Sequence, residues 1–148
     1  MAKDQKTENL PEINTQEEQK NVPLIVVVDD DLALLELMEF SLKPEGFRIH
    51  TISSGKDALK YFSDEKNIKS ASLLILDRIL PDLDGIEILK HIQSKNSKHF
   101  PVLILSLLSS EKDVLTGLSE GAIDYIVKPF NLKLLKQKTH ALLALYRS

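Results

Sequence analysis

From residue 24 onward the chain alternates short apolar runs, rich in β-branched residues, with longer amphipathic stretches. That rhythm restricts it to an α/β fold in which helices cover both faces of a parallel sheet. Five runs predict strands: Leu24 to Val28, Phe47 to Ile52, Leu73 to Leu76, Val102 to Leu105 and Ile123 to Val127. The wholly apolar runs belong in the centre of the sheet, whereas the mixed Arg48-Ile49-His50-Thr51 reads as an edge. Between the strands the spacing predicts helices over Leu32 to Leu42, Lys56 to Phe62, Ile86 to Gln93, Lys112 to Ser119 and Leu132 to Leu145. In the first of these Leu35, Met38 and Leu42 form one apolar stripe. Pro44 and Gly46 end that helix, Gly55 and Gly85 stand at helix entries, and Pro101 opens a strand where its missing N–H costs little.

With 148 residues the chain suits one domain with a sizeable core. Residues 1–22 are polar and carry too few large apolar side chains to fold, which predicts a flexible tail before a domain spanning residues 23–148. The net charge of −3 and the lack of clustered Lys and Arg argue against direct nucleic-acid binding. No cysteine is present, which excludes disulfides and thiolate sites and suits a reducing compartment; the expectation is a cytoplasmic protein. No apolar stretch approaches the roughly 20 residues a membrane span requires.

In open parallel sheets ligands bind beyond the carboxyl ends of the strands, where the winding direction switches. Here those ends carry Asp29 and Asp30 after the first strand, Asp77 after the third, Ser106 after the fourth and Lys128 after the fifth. Convergent carboxylates attract a hard cation. Each residue also has an ordinary reading. Asp29-Asp30-Asp31 could cap the helix that follows, Ser106 could satisfy nearby backbone, and Lys128 could be a solvated surface lysine. Asp82 and Asp84, in a Pro-Asp-x-Asp-Gly turn, are better explained by turn and cap geometry than by catalysis. His50, His91, His99 and His140 lack ligand spacing, and no glycine loop shaped to cradle phosphates is present.

Val27-Val28-Asp29-Asp30, Asp77-x-x-x-Pro81-x-x-Asp84-Gly85, Ser106 and Tyr125-x-x-Lys128-Pro129-Phe130, in this order and at these separations, resemble the receiver domain of two-component response regulators. The likeness extends from about Leu24 to Leu145 and implies a doubly wound, flavodoxin-like sheet of order 2-1-3-4-5. It further implies that Asp77 accepts a phosphoryl group from a phosphohistidine on a sensor histidine kinase. Asp30, Asp77 and the backbone carbonyl of Ile79 would be direct ligands of Mg2+, with Asp29 acting mainly through water or by orienting its neighbours. Lys128 would neutralise phosphoryl charge. By the same resemblance Ser106 and Tyr125 are the switch pair, altering the surface of the fourth helix, fifth strand and fifth helix.

The segment from Gly117 to Asn131 is similar to receivers that precede a winged-helix DNA-binding domain, so the implied output is control of transcription by a domain outside these residues. That subgroup dimerises through its last two helices with cross-subunit salt bridges. Asp124 and Lys138 match charges of that network, while Ile123 and Leu134 stand where acids are usual, marking either a homodimer face or a surface for another protein. Leu107 follows Ser106 where the family has a small residue. Together with Ile79 it is expected to crowd the phosphoryl site and slow dephosphorylation.

Two other functions compete. Asp29-x-Asp31 imitates the first motif of haloacid-dehalogenase-like phosphohydrolases, but no late acidic motif follows Lys128, and Asp77 would go unexplained. A receiver-like module that interacts without phosphorylation is compatible with the fold, and the complete acid set argues against it.

Overall fold

A computed structural model of the chain describes residues 22–95 and 100–147. The predicted tail and His99 therefore lie outside the described residues, apart from Val22. Five strands, β1 (Leu24–Val28), β2 (Arg48–Ile52), β3 (Leu73–Leu76), β4 (Val102–Ser106) and β5 (Asp124–Val127), form one sheet of order β2-β1-β3-β4-β5. All neighbours pair in parallel. The helices are α1 (Leu32–Leu42), α2 (Gly55–Tyr61), α3 (Glu65–Ser70), α4 (Gly85–Gln93), α5 (Glu111–Ser119) and α6 (Leu132–Arg147), with a 3-10 turn at Lys43–Glu45. Among the described residues no helix is long and apolar enough to cross a membrane.

Alternation along each central strand divides the apolar side chains between two cores. Ile25 and Val27 of β1 pack with Leu73 and Ile75 of β3 beneath Leu34, Leu35, Met38 and Leu42 of α1 and Leu135 and Leu143 of α6. Val26 and Val28 join Leu74, Leu76 and Ile104 under Ala58 of α2 and Ile88, Leu89 and Ile92 of α4. β3 is buried along its whole length, and mixed β2 is an edge. Such two-sided burial is why the central runs carry no polar residue.

Helix starts follow local hydrogen bonding. Asp31 caps α1 by accepting from the Leu34 amide, Ser54 caps α2, and Ser110 forms a capping box with Asp113 at α5. These caps begin α2 and α5 at Gly55 and Glu111, one residue before the predicted starts. Two strand bounds differ inward: β2 starts at Arg48, where pairing with Leu24 of β1 begins, leaving Phe47 before it, buried against the His140 ring at 4.9 Å, and β5 starts at Asp124. β4 extends to Ser106, which pairs with Val127. Helix α3 was not predicted, since among its residues Ile68 alone is buried; the Asp64 side chain caps it by accepting from Lys66. It shifts the count, so the expected fourth and fifth helices are α5 and α6.

Candidate functional site

The chain leaves β1 toward β2 and later returns through β3 on the other side, so the switch point lies between the tips of β1 and β3. Register then sets the neighbours. Val28 pairs with Leu76, and the next residues on the two strands are Asp29 and Asp77. The Asp77 amide donates to the Val28 carbonyl at 2.9 Å and the Asp29 amide to that of Ile52 at 3.1 Å, fixing both backbones. One strand further, the Lys128 amide donates to the Ser106 carbonyl at 2.9 Å.

Asp29 and Asp77 are 2 % and 5 % exposed. Lys128, whose peptide bond to Pro129 is cis, reaches across the sheet edge between them. Its Nζ donates to Asp29 Oδ2 at 2.7 Å and to Asp77 Oδ2 at 3.0 Å. The other oxygens are held by backbone: Asp29 Oδ1 accepts from the Asp31 amide at 2.9 Å, and Asp77 Oδ1 from the Ile79 amide at 3.0 Å. Burial pushes the Asp29 carboxyl above its ordinary range; the hydrogen bonds from Lys128 and Asp31 oppose the shift, and the charge of Asp77 adds to it. Burial also works against the Lys128 ammonium, but contacts with Asp29 and Asp77 outweigh it and raise its pKa.

Asp30 is exposed at the mouth of the site. Carboxylate oxygens of Asp29, Asp30 and Asp77 can all lie within 4.8 Å of one another. An all-oxygen set of this size suits a hard divalent cation such as Mg2+, which takes few protein carboxylates and retains water. The three acids line an open cleft of about 530 Å3 with Ile79, Leu80, Pro81, Leu107 and Lys128.

Ser106 is fully buried, and its Oγ accepts from the Leu108 amide at 3.3 Å. Tyr125 is half-buried and donates from its hydroxyl to the Leu108 carbonyl at 2.7 Å. Its ring fits because residue 117 is glycine: a Cβ there would lie 3.0 Å from two ring carbons. Burial raises the Tyr125 pKa, while hydrogen bonding to Arg78 and Ser106 pulls it back.

The neighbouring acids have structural duties. Asp84 caps α4 by accepting from the Ile86 amide at 2.9 Å. Asp82 accepts from the Gly55 and Lys56 amides at 2.9 and 2.7 Å, capping α2 from a distant loop. The Lys56 amide, foremost, holds the Asp82 carboxyl below its ordinary range. Asp124 and Lys138 pair within the chain at 2.5 Å. His50 stacks on Tyr61 at 4.6 Å, His91 lies 3.4 Å from Ser63, and His140 is 3.3 Å from Glu45. Arg78 escaped the sequence reading: it is 8 % exposed, and a charged residue beside an exposed-looking turn carries no signal that its side chain folds inward.

Residues 25–140 match the family model of the response regulator receiver domain. The chain is 37 % identical over 119 residues to the alkaline phosphatase synthesis transcriptional regulatory protein PhoP of Bacillus subtilis, covering 80 % of this chain and 48 % of that protein. It is 40 % identical over 107 residues to the regulatory protein VanRc of Enterococcus gallinarum, covering 72 % of this chain and 44 % of the relative. The chain thus spans about half the length of these curated relatives. Among solved structures, the CheY-like response regulator receiver domain protein of Methanospirillum hungatei superposes with a TM-score of 0.76 at 25 % identity, covering 85 % of this chain and 97 % of that one.

Proposed function

The chain belongs to the response regulator receiver domain family, and on that footing we propose that Asp77 is its phosphoacceptor in a two-component signalling switch. One observation carries the reading: a single ammonium, that of Lys128, bridges two buried carboxylates in a cleft where a third acid stands at the mouth.

In the transfer, an Asp77 carboxylate oxygen forms the bond to phosphorus as the bond from phosphorus to the imidazole nitrogen of a sensor kinase phosphohistidine breaks. The bonding pair leaves with the imidazole, and Asp77 becomes an acyl phosphate. A loose phosphoryl transition state asks the protein mainly for position and charge. Lys128 supplies a fixed positive charge that can follow from the carboxylate to the phosphoryl oxygens. Asp30 and Asp77, with the Ile79 carbonyl, would hold Mg2+, and Asp29 would orient that shell through water. Magnesium, when bound, supplies further neutralisation of the phosphoryl oxygens. Burial of Asp29 and Asp77 strengthens these interactions by excluding solvent.

Phosphorylation adds charge and strong acceptors beside Ser106. The Ser106 hydroxyl turning toward the phosphoryl group would give up its bond from the Leu108 amide, loosening the segment that also accepts from Tyr125. The consequence is a changed α5–β5–α6 surface, read by a transcriptional output domain carried elsewhere. That face exposes Leu115, Leu118, Ile123, Val127 and Leu134, which supports a second copy of the chain as its partner. The setting is cytoplasmic, and the chain itself makes no contact with nucleic acid or membrane. Phosphoryl uptake from a small donor by the wild type, and none by Asp77→Asn, tests the assignment.

A further inference from the structure

Arg78 follows Asp77 directly, yet its side chain turns away from the cleft and into the protein, with 9 % of it exposed. One terminal nitrogen donates to the Asp113 carbonyl in the first turn of α5 at 3.0 Å. The other lies 3.5 Å from Asp84 Oδ2, the cap of α4. The positive charge of the guanidinium also favours the ionised form of the Tyr125 phenol against burial. One planar group therefore joins the cap of α4 to the first turn of α5, and its backbone is that of the proposed phosphoacceptor loop.

Stability alone does not call for a charge here, because the partner Asp84 is half exposed and an ion pair screened by solvent contributes little. A planar guanidinium holds its terminal donors in fixed directions toward partners on separate elements, which the freely rotating donors of an ammonium do not. The backbone beneath it has little freedom: a Cβ on Gly85 would lie 2.9 Å from the Arg78 Cα and 3.0 Å from the Asp77 carbonyl carbon. With main chain seated so tightly against α4, a change at Asp77 reaches α5 more readily through a side chain than through movement of the loop.

We infer that Arg78 is a positioning residue that couples the state of Asp77 to α5, the helix against which the Tyr125 ring packs at Gly117. The inference rests on the reading of Asp77 as phosphoacceptor. Arg78 touches none of the reacting atoms, so its loss leaves phosphoryl uptake intact and removes its transmission to the α5–β5 face.

The test compares wild type, Arg78→Met and Arg78→Lys with magnesium and acetyl phosphate, following occupancy by intact mass and transmission by amide NMR shifts on the same samples. Both variants are expected to take up one phosphoryl group. Wild type should show phosphorylation-dependent shifts through residues 107–127; Arg78→Met should lose roughly half of them or more, with Arg78→Lys between. Full transmission in Arg78→Met overturns the inference, including the case in which its urea midpoint has dropped, for that is the mark of a purely structural arginine. Should Arg78→Met not fold, Arg78→Lys decides: attenuated shifts support the coupling, and wild-type shifts refute it. A wild type that takes up no phosphoryl group would instead overturn the assignment of Asp77, and the mass measurement tells that failure apart.

Discussion

Gly85 stands so close to Asp77 that a Cβ on it would lie 2.2 Å from the Asp77 carbonyl oxygen. The first turn of α4 is thus seated on the backbone of the proposed phosphoacceptor, and the Gly85 amide donates to the Arg78 carbonyl at 2.9 Å. A methyl group here must displace main chain. Gly85→Ala should therefore cost about 1–3 kcal/mol, the usual range for forced overpacking. In urea the expected result is a lower midpoint with an unchanged slope, together with slower phosphoryl uptake.

Lys128 should matter twice. Replacing it with Met leaves two buried carboxylates without their shared cation, at a cost of about 3 kcal/mol, the lower end for breaking a buried pair, since the lysine side chain is 15 % exposed. Because its folded pKa is raised above the unfolded 10.5, the stability it contributes is fully present below 10.5 and is lost as pH rises through the folded value. Urea unfolding of wild type and Lys128→Met should give a difference that is constant from neutrality toward 10.5 and shrinks only above it. Phosphoryl uptake by the variant should fall on the order of a hundredfold, as when one fixed electrostatic stabiliser is removed.

Magnesium should stabilise the folded chain by mass action, by about 2.7 kcal/mol at a hundred times its dissociation constant. A magnesium titration followed by thermal unfolding should raise the midpoint of the wild type, and excess EDTA should reverse the rise and abolish phosphoryl uptake. Asp30→Asn removes the proposed exposed ligand without disturbing the Lys128 pairings, so its response should move to higher magnesium. An identical titration for both proteins would remove Asp30 from the metal site.

Leu107 is 64 % exposed and lines the cleft with Ile79, and we propose that its bulk hinders hydrolytic water there. Leu107→Ala should shorten the acyl phosphate lifetime several-fold, about 1 kcal/mol in the barrier. The decay of the phosphorylated mass in both proteins measures it, and equal lifetimes would show that Leu107 does not guard the phosphoryl group.

Much of this site was legible because its residues end apolar strands, and a doubly wound sheet brings strand ends together whatever their separation in sequence. Lys128 and Asp29 are 99 residues apart, yet the rule for ligand position in open sheets was enough to group them. The sheet order needed the resemblance, because alternation of elements shows that strands are parallel without ordering them. What stayed hidden depends on side chains crossing between elements. Nothing near Asp82 in sequence points to α2 as the helix it caps, and nothing beside Arg78 foretells its turn toward Asp113. Polar α3 escaped for a different reason: one buried isoleucine is too little for a periodic signal.

Phosphoryl transfer to Asp77 in a magnesium-dependent reaction can be measured directly. Wild type and Asp77→Asn, both shown to be folded, would be incubated with magnesium and acetyl phosphate and weighed intact. With Asp77 as acceptor, the wild type gains the mass of one phosphoryl group and the variant gains none. Equal gain in both, or none in either, would contradict that role, and the latter would favour a module that works without phosphorylation.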